Sequence, residues 1–99
     1  MSVAEFQDLM NRTYFDKDSK RGPHGTYEWL REEVIELGDA MQGKDRQALE
    51  DEFADVFAWL TSLANILGVD LERAALKKYA DGCPKCHLSP CRCVYRETS

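Results

Sequence analysis

Two short segments carry acids at spacings that suit metal chemistry. LREEVIELGDA, residues 30–40, holds Glu32, Glu33, Glu36 and Asp39, and LEDEFADVF, residues 49–57, holds Glu52 and Asp55. On one helix, like charges three and four residues apart repel each other. Such a concentration is either a solvated face or a cation site, and the angular phase of the acids separates the two. Each residue advances about 100° around an α-helix. In the first segment the apolar stripe is Leu30, Val34, Leu37 and Met41, with Glu33 on its edge and Glu36 just beyond it on the same side. Asp39 and Glu32 point further away. In the second, the stripe is Leu49, Phe53, Val56, Leu60, Leu63 and Leu67, and Glu52 and Asp55 hold matching positions relative to it. A short turn at Gly43 and Lys44 makes the two helices antiparallel neighbours. Flanks of equal offset then fall on one side. Glu36 and Glu52 are equally distant from Lys44 along the chain, as are Glu33 and Asp55, so all four carboxylates are expected at one level.

Partly buried acids without counter-charges are costly, and neither helix puts a lysine or arginine at a matching site. A hard cation resolves the conflict, and an all-oxygen ligand set suits Mg²⁺ or Mn²⁺ rather than zinc. A carboxylate di-iron bundle would need Glu-x-x-His pairs. The two histidines, His24 and His87, fall instead in a loop and in the C-terminal stretch. Asp16 and Asp18 open like a calcium loop, but Lys20, Arg21 and Tyr27 stand where such a loop needs an oxygen ligand, a glycine and the closing glutamate.

The second chemical cluster is GCPKCHLSPCRC, which contains all four cysteines. Cys83 and Cys86 form C-x₂-C, and Cys91 and Cys93 form C-x-C four residues later. Thiolates this close can surround one tetrahedral Zn²⁺, leaving no open position for catalysis. His87 is an alternative to one thiolate; two disulfides or free thiols are the competing readings. The start, MSVAEFQDLM, carries acids and lacks a basic, then apolar, signal-peptide pattern, so the cytoplasm is the expected compartment and metal the expected use. A zinc knuckle would staple a tail that has no core of its own.

The elements that must position these groups are helical; no run shows sustained strand alternation. Ninety-nine residues suffice for one small domain, expected over residues 1–80, followed by a Cys-rich tail over 81–99. A charge of −5 and a pI near 5.0 argue against a nucleic-acid surface, and no apolar run approaches membrane-spanning length. Ser2 and Glu5 make a capping box for a first helix expected to end near Phe15. DKDSKRGPHG then reads as a polar loop. Thr26 is a candidate N-cap for a second helix reaching Gln42, Asp45 for a third ending near Leu67 at Gly68, and Asp70 for a fourth running to Ala80. The fold class is therefore all-α, an antiparallel hairpin with flanking helices. A hairpin is too thin to bury all its apolar side chains, so it is expected to complete a bundle by self-association.

The paired acidic motif resembles that of the MazG-like nucleotide pyrophosphohydrolases of the all-α NTP pyrophosphatase superfamily. The residues that carry the resemblance are Glu32-Glu33-Val34-Ile35-Glu36, then Glu52-Phe53-Ala54-Asp55, with RGPHGTYEWLREEVIEL and ADVFAWLTSLANILGVDLERAALKKY around them. It spans most of residues 5–80. It implies Mg²⁺-dependent hydrolysis of nucleoside triphosphates, NTP or dNTP, to monophosphate and pyrophosphate, often on non-canonical or excess nucleotides, by a homodimer or homotetramer. The implied metal ligands are Glu33, Glu36, Glu52 and Asp55, with Glu32 in a supporting role. Lys78-Tyr79 is similar to a Lys-aromatic pair of the family's last helix, which makes Lys78 the first candidate for phosphate binding, ahead of Lys77 and Arg73. The arginine that often follows this pair is replaced by Gly82 and the cysteines, which leaves Arg12, Lys20 or Arg21 to contribute. Tyr14, Trp29 and Trp59 are the aromatics available to a base, with Trp59 assigned to an interface. The competing reading is a non-catalytic helical interaction or nucleotide-sensing module with a zinc knuckle.

Overall fold

The computed structural model describes residues 1–94, with three helices between residues 3 and 79 and no strand among the described residues. Helix α1 runs Val3–Gln42, α2 Arg46–Leu67 and α3 Leu71–Tyr79. Local chemistry accounts for the ends. Ser2 Oγ accepts from the Glu5 amide at 3.1 Å and Glu5 Oε1 accepts from the Ser2 amide at 2.9 Å, which closes the expected capping box. Asp45 caps α2 through the amides of Gln47 and Ala48, and Asp70 caps α3 through that of Arg73. Gly68 ends α2 in the left-handed region at φ 71°.

One expectation fails. DKDSKRGPHG is not a loop, and the first helix does not stop near Phe15. The helix continues to residue 21, breaks at Gly22 (φ 84°, ψ 169°) and resumes at Pro23. Gly22 occupies a backbone region open essentially only to glycine. Pro23 suits the first turn of the second arm, where its missing N–H is not needed. Thr26 is consequently not an N-cap; it lies inside the second arm, fully buried. The reason is tertiary. Arg21, held by Asp18 on its own arm, donates across the break to Thr26 and covers Trp59 of α2. Polar residues that read locally as loop are held helical by these contacts.

The second arm of α1 and α2 form the expected antiparallel hairpin about residues 43–45, and the first arm lies across the C-terminal half of α2. Phe6 stacks on Phe57 at 4.9 Å and Trp29 on Trp59 at 5.7 Å. Gln7 is buried with its side chain fully used: Nε2 donates to Asn65 Oδ1 and Val69 O, and Oε1 accepts from the Leu71 amide. The residues of α2 with the least exposure are small, Thr61, Ser62 and Ala64, which lets the helices approach closely. By contrast Val34, Met41, Phe53, Leu60 and Leu67, half of the predicted core stripes, are exposed in the single chain. One hairpin with one crossing arm cannot cover both flanks.

Candidate active site

Three of the four acids expected to meet do so on one side of the hairpin. One carboxylate oxygen each from Glu33, Glu36 and Glu52 lies within 4.8 Å of the others. Asp55 stands outside that mutual distance, yet its charge reaches Glu33. The four differ in depth. Glu33 and Glu52 are half-buried, and Oε2 of each is sequestered without a hydrogen-bond partner; Glu36 and Asp55 are exposed at the rim. Burial pushes the Glu33 carboxyl up to about 7, and the charges of Glu36 and Asp55 push the same way. Its neutral form is also favoured by proton sharing with Glu36 and Glu52. No ion pair reaches the cluster among the described residues. Two buried carboxylate oxygens without a hydrogen-bond partner, in a negatively charged cluster, are a donor set that fits a cation. Oxygen donors alone fit a hard divalent ion.

Glu32 points elsewhere, as its phase requires. It lines a shallow recess with Gly25, Glu28 and Trp29. Trp29 is half-exposed on its stack with Trp59, which is itself partly exposed. The basic candidates of α3 are not beside the acids in this chain. Asp55 precedes the end of α2 by twelve residues, about 18 Å of helix, and α3 starts beyond that end. Arg73, Lys77 and Lys78 are exposed there, with Lys78 Nζ 5.6 Å over the Tyr79 ring. Arg12 is engaged with Asp8 and Lys20 is exposed, whereas Arg21 is near the acids.

Arg21 and Asp55 share a cavity of ≈ 260 Å³ between the first arm of α1 and α2, with Tyr14, Asp18, Trp59 and Ser62 among its walls. In the sequence Asp18 stands out only as part of a calcium-loop-like start. The signal that could have found it is the Asp18/Arg21 spacing, an i, i+3 pair directly before the Gly-Pro break. A larger, more open groove of ≈ 460 Å³ lies at the other end, around Gln7 and Asn65. The Gln7 side chain there is already satisfied.

The tail forms a second centre. All four cysteine sulfurs lie within 4.8 Å of one another, with Cys83–Cys93 at 3.6 Å and Cys86–Cys91 at 3.9 Å. These are too long for disulfides, and all four thiols are free. They match the edge of a tetrahedron with about 2.3 Å metal–sulfur bonds, which is about 3.8 Å. His87 is not among the converging ligands. The amides of Arg92 and Cys93 donate to Cys86 and Cys91 sulfur at 3.3 Å. Backbone donors at Cys86 and Lys85 bring the Cys83 thiol down to about 6, while the neighbouring Cys91 and Cys83 sulfurs push Cys93 up to about 12. Gly82, at φ 93°, is required: a Cβ there would meet Leu88 O at 2.7 Å. Residues 95–99 of the predicted tail lie outside the described residues.

Comparison with known proteins supplies a family. A sequence profile of the MazG nucleotide pyrophosphohydrolase domain matches residues 12–87. The chain is also 40% identical over 57 residues to the nucleoside triphosphate pyrophosphohydrolase/pyrophosphatase MazG of Thermotoga maritima. That match covers 58% of this chain and 21% of the relative, so the chain spans about a fifth of the relative's length.

Proposed function

Because the chain belongs to the MazG nucleotide pyrophosphohydrolase domain family, we propose that it hydrolyses nucleoside triphosphates, NTP or dNTP, to a monophosphate and pyrophosphate. The observation that carries the proposal is the convergence of Glu33, Glu36 and Glu52 with two buried oxygens unpaired. Glu33, Glu36, Glu52 and Asp55 are assigned to hold Mg²⁺ or Mn²⁺. A bound ion of this kind neutralises phosphate charge and lowers the pKa of an attacking water. The side chains do the positioning that phosphoryl chemistry chiefly demands. Glu33 and Glu52 supply the inner oxygens; Glu36 and Asp55, at the rim, are the carboxylates an incoming triphosphate reaches first. Glu32 is outside the converging ligand set and is assigned a supporting role.

Three further assignments complete the proposal. The four cysteines hold a structural Zn²⁺, which makes residues 81–99 a stapled tail on the domain of residues 1–80. The active unit is a homodimer or homotetramer. The support is the exposure of large apolar side chains in the single chain, Val34, Met41, Phe53, Leu60 and Leu67 among them. Arg73, Lys77 and Lys78 remain the proposed phosphate contacts; all three are exposed on α3.

The test is product analysis on NTPs and dNTPs with Mg²⁺, resolving monophosphate, diphosphate, pyrophosphate and phosphate. Monophosphate plus pyrophosphate is expected, with activity lowered at least about a hundredfold in Glu36→Gln. No turnover of any nucleotide by folded, zinc-loaded protein would overturn it in favour of a binding module.

A further inference from the structure

A zinc staple needs a closed and protected shell, and the cysteine cluster of the tail is not protected. None of the four thiols is buried: Cys83, Cys86 and Cys93 are half-exposed, and Cys91 is exposed. Residues 83–94 carry Lys85 and Arg92 and no acid, and both bases are exposed. Accessible thiolates in positively charged surroundings are the ones that react with oxidants. Sulfur chemistry is therefore open to this centre in addition to holding a metal.

The four sulfurs differ in reach and in partner. Cys91 is the one that an oxidant arriving from solvent meets first. The closest approaches divide the set into two pairs, Cys86 with Cys91 at 3.9 Å and Cys83 with Cys93 at 3.6 Å. The Arg92 amide donates to Cys86 Sγ at 3.3 Å, which holds that sulfur against the segment carrying Cys91. Cys93 is a poor partner for Cys91, because one residue separates them and the ring closed by a bond would be small and strained. Cys86 is the neighbour placed to join Cys91.

We infer that Cys91 is a peroxide-oxidation site resolved by Cys86, so that the tail gives up its metal reversibly to an oxidant. The inference rests on the zinc assignment of the tail. The Cys91 thiolate attacks one oxygen of hydrogen peroxide. The S–O bond forms as the O–O bond breaks, giving a sulfenic acid and hydroxide. The Cys86 thiolate then attacks the Cys91 sulfur. The S–S bond forms as the S–O bond breaks, and a second hydroxide leaves. The two sulfurs have lost two electrons and the peroxide has gained them. Cys83 and Cys93 remain as thiolates, and two sulfurs do not complete a four-coordinate zinc shell. A second peroxide joins this pair in the same way. Proximity of Cys86 captures the sulfenic acid before it is oxidised further, and a thiol reductant returns the cluster to its starting state.

The experiment titrates the full chain, reduced and zinc-loaded, with hydrogen peroxide. Released zinc is read with a chelating dye, and disulfides are mapped by mass spectrometry after alkylation. The first disulfide is expected to be Cys86–Cys91, with one zinc lost for each one formed. Dithiothreitol with added zinc is expected to restore full loading. Brief treatment of the untreated chain with iodoacetamide is expected to label Cys91 ahead of the other three. A first disulfide that lacks Cys91, or label spread evenly over the four cysteines, overturns the inference. Zinc retained under peroxide that oxidises the reduced, metal-free chain also overturns it. If the purified chain holds no zinc, the zinc assignment fails separately. The same mapping on that chain then decides the oxidation site, which a first disulfide without Cys91 overturns.

Discussion

A single carboxyl, Glu33, carries the pH behaviour expected of the acid cluster. Its pKa of about 7, against an ordinary value of 4.5, comes first from burial and then from the acids around it. The folded chain thus binds the Glu33 proton more tightly than the unfolded chain. Stability from this group is complete below pH 4.5 and is lost as pH rises to about 7. Thermal melts of metal-free protein are expected to show a falling Tm across that window. Mg²⁺ needs the ionised carboxylate, so its affinity rises with pH over the same range and flattens above it. The fall in Tm is expected to vanish in Glu33→Gln; an unchanged slope in that variant would assign it to another group. In Glu52→Gln, stabilisation by Mg²⁺ is expected to disappear, which the same melts with and without the ion would read.

At the scale of the element, the break in α1 decides where the site forms. Gly22 turns the chain so that the first arm crosses α2 and encloses the cavity beside Asp55. A Cβ at Gly22 meets nothing within 4 Å, so the cost of Gly22→Ala is conformational alone. The expected loss is about 1–3 kcal/mol, measured by urea denaturation. A loss below about 0.5 kcal/mol would show that the arms can relax to an unbroken path. The capping residues behave more simply. Asp45 holds two amides at the start of α2, and Asp45→Ala is expected to cost about 1 kcal/mol in the same assay.

At the scale of the whole molecule, the chain has little core of its own: among the described residues Ala64 is the one buried apolar residue. Phe53, Leu67, Leu76 and Met41 are all more than half exposed. Light scattering is expected to report a dimer or tetramer at micromolar concentration, and a monomer there would overturn the assembly. Exposed Phe53 is the sharpest probe, since Phe53→Asp is expected to shift the population toward monomer. The tail is expected to carry a single zinc per chain when purified under reducing conditions. Elemental analysis without zinc would remove that assignment, and Cys83→Ser is expected to abolish zinc retention while leaving the helices folded.

Much of this protein is written in short-range pattern. The capping box at Ser2, the caps at Asp45 and Asp70, and the stop at Gly68 depend on neighbours three or four residues away, so they were legible directly. The convergence of Glu33, Glu36 and Glu52 was legible for a related reason. Helix phase and a short turn at Gly43 and Lys44 determine it without reference to the rest of the chain. The close spacing of Cys83, Cys86, Cys91 and Cys93 similarly limits how far their sulfurs can separate. Residues 16–21 were not legible, because they lack a helical apolar stripe. Their helix is stabilised by Arg21, held by Asp18 and bonding across the break to Thr26, and by Trp59, distant in sequence. Only the tertiary structure could reveal the buried Asp18, since burial is a property of what packs over a residue and not of the residue itself.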